Sequence, residues 1–145
     1  MNYSSLSDIL STLSESEIAR LTDDAQGKTV NQDIVNEAIT KGDEFLNGYL
    51  RSRYSLPLST VPALVKDISV ELAIYNLFLR RYRTKMPESA DSQYKATIKT
   101  LEQIQKGFIN LGIEPKAQEG GQVGTFRTNK TSSDRLFSKD LLNGF

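Results

Sequence analysis

Asp43–Leu58, DEFLNGYLRSRYSLPL, and Val61–Arg83, VPALVKDISVELAIYNLFLRRYR, decide how this chain folds. The first stretch ends an amphipathic helix. Ile34, Val35, Ala38, Gly42, Phe45, Leu46, Tyr49 and Leu50 advance in threes and fours along one stripe, the spacing of a helix with one buried face. Asn31 is its predicted cap. It is expected to run over 34–54, because Pro57 forces the residue before it out of the helical region. SLPLSTVP reads as an extended turn. Pro62 then fits the first turn of a second helix over 63–83, capped by Ser59 or Thr60. There Leu64, Val65, Ile68, Val70, Leu72, Ala73, Ile74, Tyr75, Leu77, Phe78 and Leu79 leave almost no polar side. A helix apolar nearly all round is a central one, covered by neighbours. Arg80, Arg81, Arg83 and Lys85 suit the negative end of its dipole.

Working outward, Pro87 or Ser89 opens a third long helix over 88–111, with Tyr94, Ile98, Leu101, Ile104, Phe108 and Leu111 on one face and Gly112 as its stop. Before Asn31, Ser5 or Ser7 caps a short helix through Leu6, Ile9, Leu10 and Leu13. Ser14 and Glu17 have the spacing of a capping box that opens a second short helix around Ile18 and Leu21. LTDDAQGKTVN between them is an acidic loop. The fold class that follows is all-α: a bundle of three long helices plus short N-terminal helices over residues 1–111. Beyond lies an arm over 112–145, expected to be flexible and to order on assembly. The arm has glycines, much Ser/Thr and no sustained period, a composition that cannot build a core of its own. It still carries spaced apolar groups, Val123 and Phe126, Leu136 and Phe137, then Leu141, Leu142 and Phe145, suited to separate pockets on a partner.

With 145 residues the chain suits one domain. Lys+Arg and Asp+Glu both number 18, so no net field draws it to nucleic acid or membrane. The neutrality hides an asymmetry. Residues 1–50 hold nine acids and three bases, while 51–111 hold ten bases and five acids, a division suited to head-to-tail self-association. There is no cysteine and no histidine, which removes disulfides, thiolate chemistry and the commonest general base and metal ligand. MNYSSLSDIL lacks the basic and apolar regions of a signal peptide. Glu71 and Asn76 interrupt the longest apolar run, too short for a membrane span. A cytoplasmic protein without cofactor or metal is expected.

Few motifs carry chemistry. Asp23–Asp24 and Asp43–Glu44 are adjacent pairs, and neighbours on a helix diverge by about 100° rather than converge. TDDAQGKTVNQD lacks the alternating ligands and closing glutamate of a calcium loop. Gly27-Lys28-Thr29 resembles the end of a phosphate loop, but Thr22 stands where the first glycine belongs and no strand precedes it. No enzyme is expected. Arg51, Arg53, Arg80, Arg81, Arg83 and Lys85 could contact phosphates, with Tyr54, Tyr75 and Tyr82 stacking on bases. The plainer reading is dipole complementarity and ion pairs to Asp43, Glu44 or Asp67. For Arg53 and Tyr54, an interface hot spot and packing of the helix–turn–helix corner stand level.

Taken together, Asp43, Phe45, Leu46, Tyr49, Leu50, Arg53, Tyr54, Leu56, Pro57 and Leu58, with Asp67, Ile68, Ala73, Ile74, Tyr75, Leu77, Arg80 and Arg81, resemble the signature of the Mu-like prophage head–tail joining proteins. The likeness extends to Tyr3, Leu6, Ile9, Leu10, Leu13, Ile18, Leu21 and Thr22, to Lys106-Gly107 and Leu111, and to the terminal box Arg135-Leu136-Phe137-Ser138-Lys139-Asp140, Leu142 and Gly144-Phe145. Departures are Glu44-Phe45, where the family often has Ala, and the spacing at Asn47-Gly48. The resemblance implies a structural adaptor of the virion, assembled in the host cytoplasm and seated at the head–tail interface. It would form a dodecameric ring of its own copies under the portal protein and meet the next connector or tail terminator. DNA would pass through without sequence-specific contact, and Arg53, Tyr54, Arg80, Arg81 and Arg83 would lie at interfaces or the channel. Arg135 joins the arm's apolar residues as an expected contact to portal or neighbour. The competing reading is a small helical DNA- or protein-binding regulator using the basic end Arg80–Lys85. Added salt separates them, since phosphate-driven binding collapses with it.

Overall fold

The structure, a computed structural model, describes residues 2–116. Over them the chain is all-α, with five helices and no strand: α1 (Leu6–Leu10), α2 (Glu15–Thr22), α3 (Gln32–Leu50), α4 (Ala63–Arg81) and α5 (Glu88–Lys106). The starts follow from local chemistry. Ser5–Asp8 and Ser14–Glu17 both form capping boxes. The Asn31 side chain accepts from the backbone N–H of Asp33 and Ile34, satisfying two of the donors a helix start leaves over. Pro62 stands at the N-cap of α4 rather than in its first turn, and its carbonyl takes the N–H of Val65 and Lys66; Ser59 and Thr60 make no cap.

α4 is the central helix and packs against each of the other four. Its closest neighbour is α3, and Gly42 is the reason: a Cβ there would stand 3.1 Å from Leu72 Cβ and 3.3 Å from Ala73 N. Any larger residue there would force the two backbones apart by a few tenths of an ångström. The main core forms where the C-terminal halves of α3 and α5 meet the N-terminal half of α4, through Leu46, Leu50, Val65, Ile68, Leu101 and Ile104. A second cluster joins Ile9 and Ile18 to Val35, Ile39, Val70 and Ala73, and a third joins Leu21, Ala38 and Leu77. The two short helices thus close the end of the bundle left open by α5.

Two helices end earlier than their periodicity predicts. α3 stops at Leu50, and Arg51–Tyr54 form a turn in which Arg53 and Tyr54 N–H both donate to the Leu50 carbonyl. α5 stops at Lys106, because Gly107 takes a left-handed φ of 84° and Phe108 N–H turns back to the Gln103 carbonyl. Gly107, not Gly112, is the stop. Phe108 therefore leaves the buried stripe and is 81% exposed, while Leu111 still reaches the core from the following loop. The chain does not depart at Gly112: Ile113 packs on the main core, and Lys116 N–H donates to the Arg53 carbonyl at 2.7 Å.

Candidate interaction surfaces

The basic end of α4 is partly neutralised from within. Asp23 accepts the backbone N–H groups of Ala25, Gln26, Lys28 and Thr29, which organises the acidic loop and presents Asp24 to α4. Arg80 donates to both Asp24 oxygens and to the Leu21 carbonyl, and Arg81 lies 3.5 Å from Asp24 Oδ1. Ion pairs expected to Asp43, Glu44 or Asp67 thus go to Asp24, brought across from the loop after α2. Arg83 remains exposed and unpaired among the described residues. The four N–H donors pull the Asp23 carboxyl down to about 2 from its ordinary 3.8. A carboxylate held low in the folded state contributes stability above its unfolded pKa and loses it as pH falls toward the folded value. The loop should therefore weaken between about pH 4 and 2, and Asp23→Ala should flatten the acid limb of thermal unfolding in that range. An unchanged limb would mean the loop is not coupled to folding.

Asp43 has a different role from the one its charge suggests. It is 3% exposed, accepting from Tyr3 N–H at 2.8 Å and from the Ser69 hydroxyl, which also bonds Ser4 Oγ at 2.7 Å. Tyr3 OH donates to Asn47 Oδ1 at 2.6 Å. Burial pushes the Asp43 carboxyl above the usual range, against the pull of these donors. The group fastens the N-terminal segment to α3 and α4. Buried polar groups of this kind must be bonded to be tolerated. The sequence held one signal for it: Asp43 falls in register with Ile39, Gly42 and Leu46 on the buried stripe.

Tyr54 and Arg53 belong to the corner. Tyr54 is 1% exposed, and its hydroxyl accepts from Leu111 N–H at 3.4 Å, so it is a core residue, out of reach of a partner or a DNA channel. The Arg53 guanidinium lies over Gly107, where an added Cβ would fall 1.9 Å from Nη1. Its Nε is buried without a hydrogen-bond partner among the described residues. Tyr54 packs in the core, while Arg53 is half-buried at the corner.

Two open grooves flank α4. One of about 790 Å³ runs between α1–α2, α4 and α5, floored by Leu13, Ile74 and Phe78 and rimmed by Asp8, Glu17, Asp67 and Glu71. Tyr75 and Tyr94 stack at 3.9 Å on its wall. The other, of about 560 Å³, lies toward α3 and carries Lys41, Arg80, Arg81 and Arg83 beside Asp24 and Glu37. No residue lines both. Leu10, Phe45, Leu79 and Phe108 are exposed; Phe45 and Phe108 were read as inward-facing, which single-stripe periodicity could not correct. Among the described residues no carboxylate cluster could hold a metal, and no helix is long and apolar enough to cross a membrane. Val123, Phe126, Arg135, Leu136, Phe137, Leu141, Leu142 and Phe145 lie outside the described residues.

Comparison with known proteins gives a consistent family. The profile of the family described as Bacteriophage Mu, Gp36 matches residues 3–128. "Gene product J" of Escherichia phage Mu is 28% identical over 117 residues, 80% of either chain. The "Mu-like prophage FluMu protein gp36" of Haemophilus influenzae is 33% identical over 88 residues, covering 61% of this chain and 60% of the relative.

Proposed function

This chain belongs to the Bacteriophage Mu, Gp36 family, and on that premise we propose that it is a non-catalytic head–tail connector. In this reading copies of the chain form a ring beneath the portal, extend the channel through which DNA passes, and offer a surface to the next connector or the tail terminator. The subunit works in the virion after assembly in the host cytoplasm. The observation that carries the reading is the family match over residues 3–128, which takes in the helical bundle and the first apolar positions of the arm, Val123 and Phe126. The physical character of the bundle supports it. Its concave surfaces are open grooves between helices, and exposed apolar side chains stand among charged ones, as on a subunit that meets partners.

The regulator reading gains nothing from the geometry, because Arg80 and Arg81 are engaged by Asp24. The test is assembly in cells infected with phage lacking this gene. Heads should fill with DNA and tails should form separately, with particles joined again when the gene is supplied in trans. Joined, infectious particles formed without the protein would sink the connector reading. In vitro, binding of purified subunit to portal-bearing heads should survive moderate salt, whereas binding that collapses steeply with salt and occurs equally on naked DNA would favour the regulator.

A further inference from the structure

We propose that the acidic groove beside α4 receives the basic side of α4 from a second copy of this chain, so that subunits join head to tail. The inference rests on the ring reading above and assigns it two faces. On the groove side, the apolar floor of Ile74 and Phe78 lies open beneath Asp67 and Glu71. Lys66, the one base on that rim among the described residues, is occupied by Asp8 at 2.7 Å. Asp67 is exposed and has no ion-pair partner among the described residues. On the other side of the same helix, Leu79 is 42% exposed, next to Arg80 and one turn from the unpaired Arg83. An apolar knob near the unpaired Arg83 thus stands at the C-terminal end of α4 on one side, and an apolar floor flanked by anions on the other.

The charge pattern also sets the symmetry. A two-fold contact through one face alone would place groove against groove or basic side against basic side, with like charges opposed. A reciprocal two-fold pairing of unlike faces would need both on one patch, whereas they lie on different sides of α4. Only the pairing of unlike faces is complementary. Because no residue lines both grooves, a subunit can use the two at once. A heterologous contact of that kind leaves a free face at each end and propagates until it closes, the geometry a ring requires.

Asp67→Arg and Arg83→Glu test this on the full chain, with circular dichroism confirming the fold. Both positions are exposed and outside the core; Glu71 is avoided because it holds Gln93 and Thr97. Sedimentation at low salt should show the wild type associating beyond dimers, with association falling as salt screens the contact. Each variant alone should lose every species above the monomer. Mixed in equal amounts, they should associate again beyond the dimer, since one contact between them is native and in the other the two reversed charges face each other with opposite sign. Variants that associate like the wild type would overturn the assignment of faces and leave the ring reading standing. A mixture that stays monomeric would overturn it too. A wild type that is monomeric at all concentrations, and binds portal as isolated subunits, would remove the ring and this inference together.

Discussion

Leu77→Ala and Leu72→Ala should each lower folding stability by roughly 2–5 kcal/mol, the range for deleting a buried leucine side chain. Leu77 is fully buried in the cluster it forms with Leu21 and Ala38. Its loss opens a cavity where α2, α3 and α4 converge, and helices held by neighbours on several sides collapse poorly into a void. Leu72 sits at the Gly42 crossing, where α3 and α4 already approach as closely as a missing Cβ allows. Neither backbone can move in to fill the gap. Leu79→Ala is the control, since this leucine on the same helix is exposed and should change stability by no more than about 0.5 kcal/mol. Equilibrium unfolding in urea reads all three. A cost below about 1 kcal/mol at both buried positions would mean that α4 is not the central helix.

That α4 is central was legible in the chain, and the reason is physical. Its apolar residues exceed what one face can hold, so several neighbours must cover it. Helix starts were legible where a side chain caps them, because Ser14 and Asn31 accept N–H groups two or three residues on, whereas α4 begins at Pro62 without Ser59 or Thr60 as its cap. Helix ends were not. Arg53 and Tyr54 continue the apolar spacing of α3 into a turn, and Phe108 continues that of α5 past a glycine. In the second case the left-handed φ of Gly107 ends the helix, and the Arg53 guanidinium lies where any side chain at that position would stand. The ion pairs failed because Asp24 reaches Arg80 only after the Asp23 loop is folded. Asp43, expected as an ion-pair partner for the arginines, is a buried acceptor because the N-terminal segment and Ser69 come to it. The two grooves on α4 depend on which helices flank it, and no local pattern could specify that.

Removing residues 117–145 should leave the thermal unfolding of the bundle nearly unchanged and abolish attachment to portal-bearing heads. The described body closes by itself, with Ile113 on the main core and Lys116 N–H on the Arg53 carbonyl. The cut belongs after Lys116, because a cut after Gly112 would strip both contacts and confuse loss of docking with loss of stability. The removed segment carries Val123, Phe126, Leu136, Phe137, Leu141, Leu142 and Phe145 among Ser, Thr and Gly. Such a composition gains little by folding alone and much by placing its aromatic groups in a partner's pockets. Ordering the segment against the portal costs about 1–2 kcal/mol of backbone entropy per residue, so the apolar groups must offset much of that on binding. Phe126→Ala and Phe137→Ala should then each weaken attachment by roughly 2 kcal/mol or more, as truncated aromatic anchors do. The two differ in one respect that the same assay reads. Phe126 lies within the family match and Phe137 beyond it, so a heterologous Mu-type portal should remain sensitive to Phe126→Ala and less so to Phe137→Ala. Truncated protein that joins heads as well as the full chain would show that the bundle itself docks on the portal, and the exposed Phe45 and Phe108 would become the residues to substitute next.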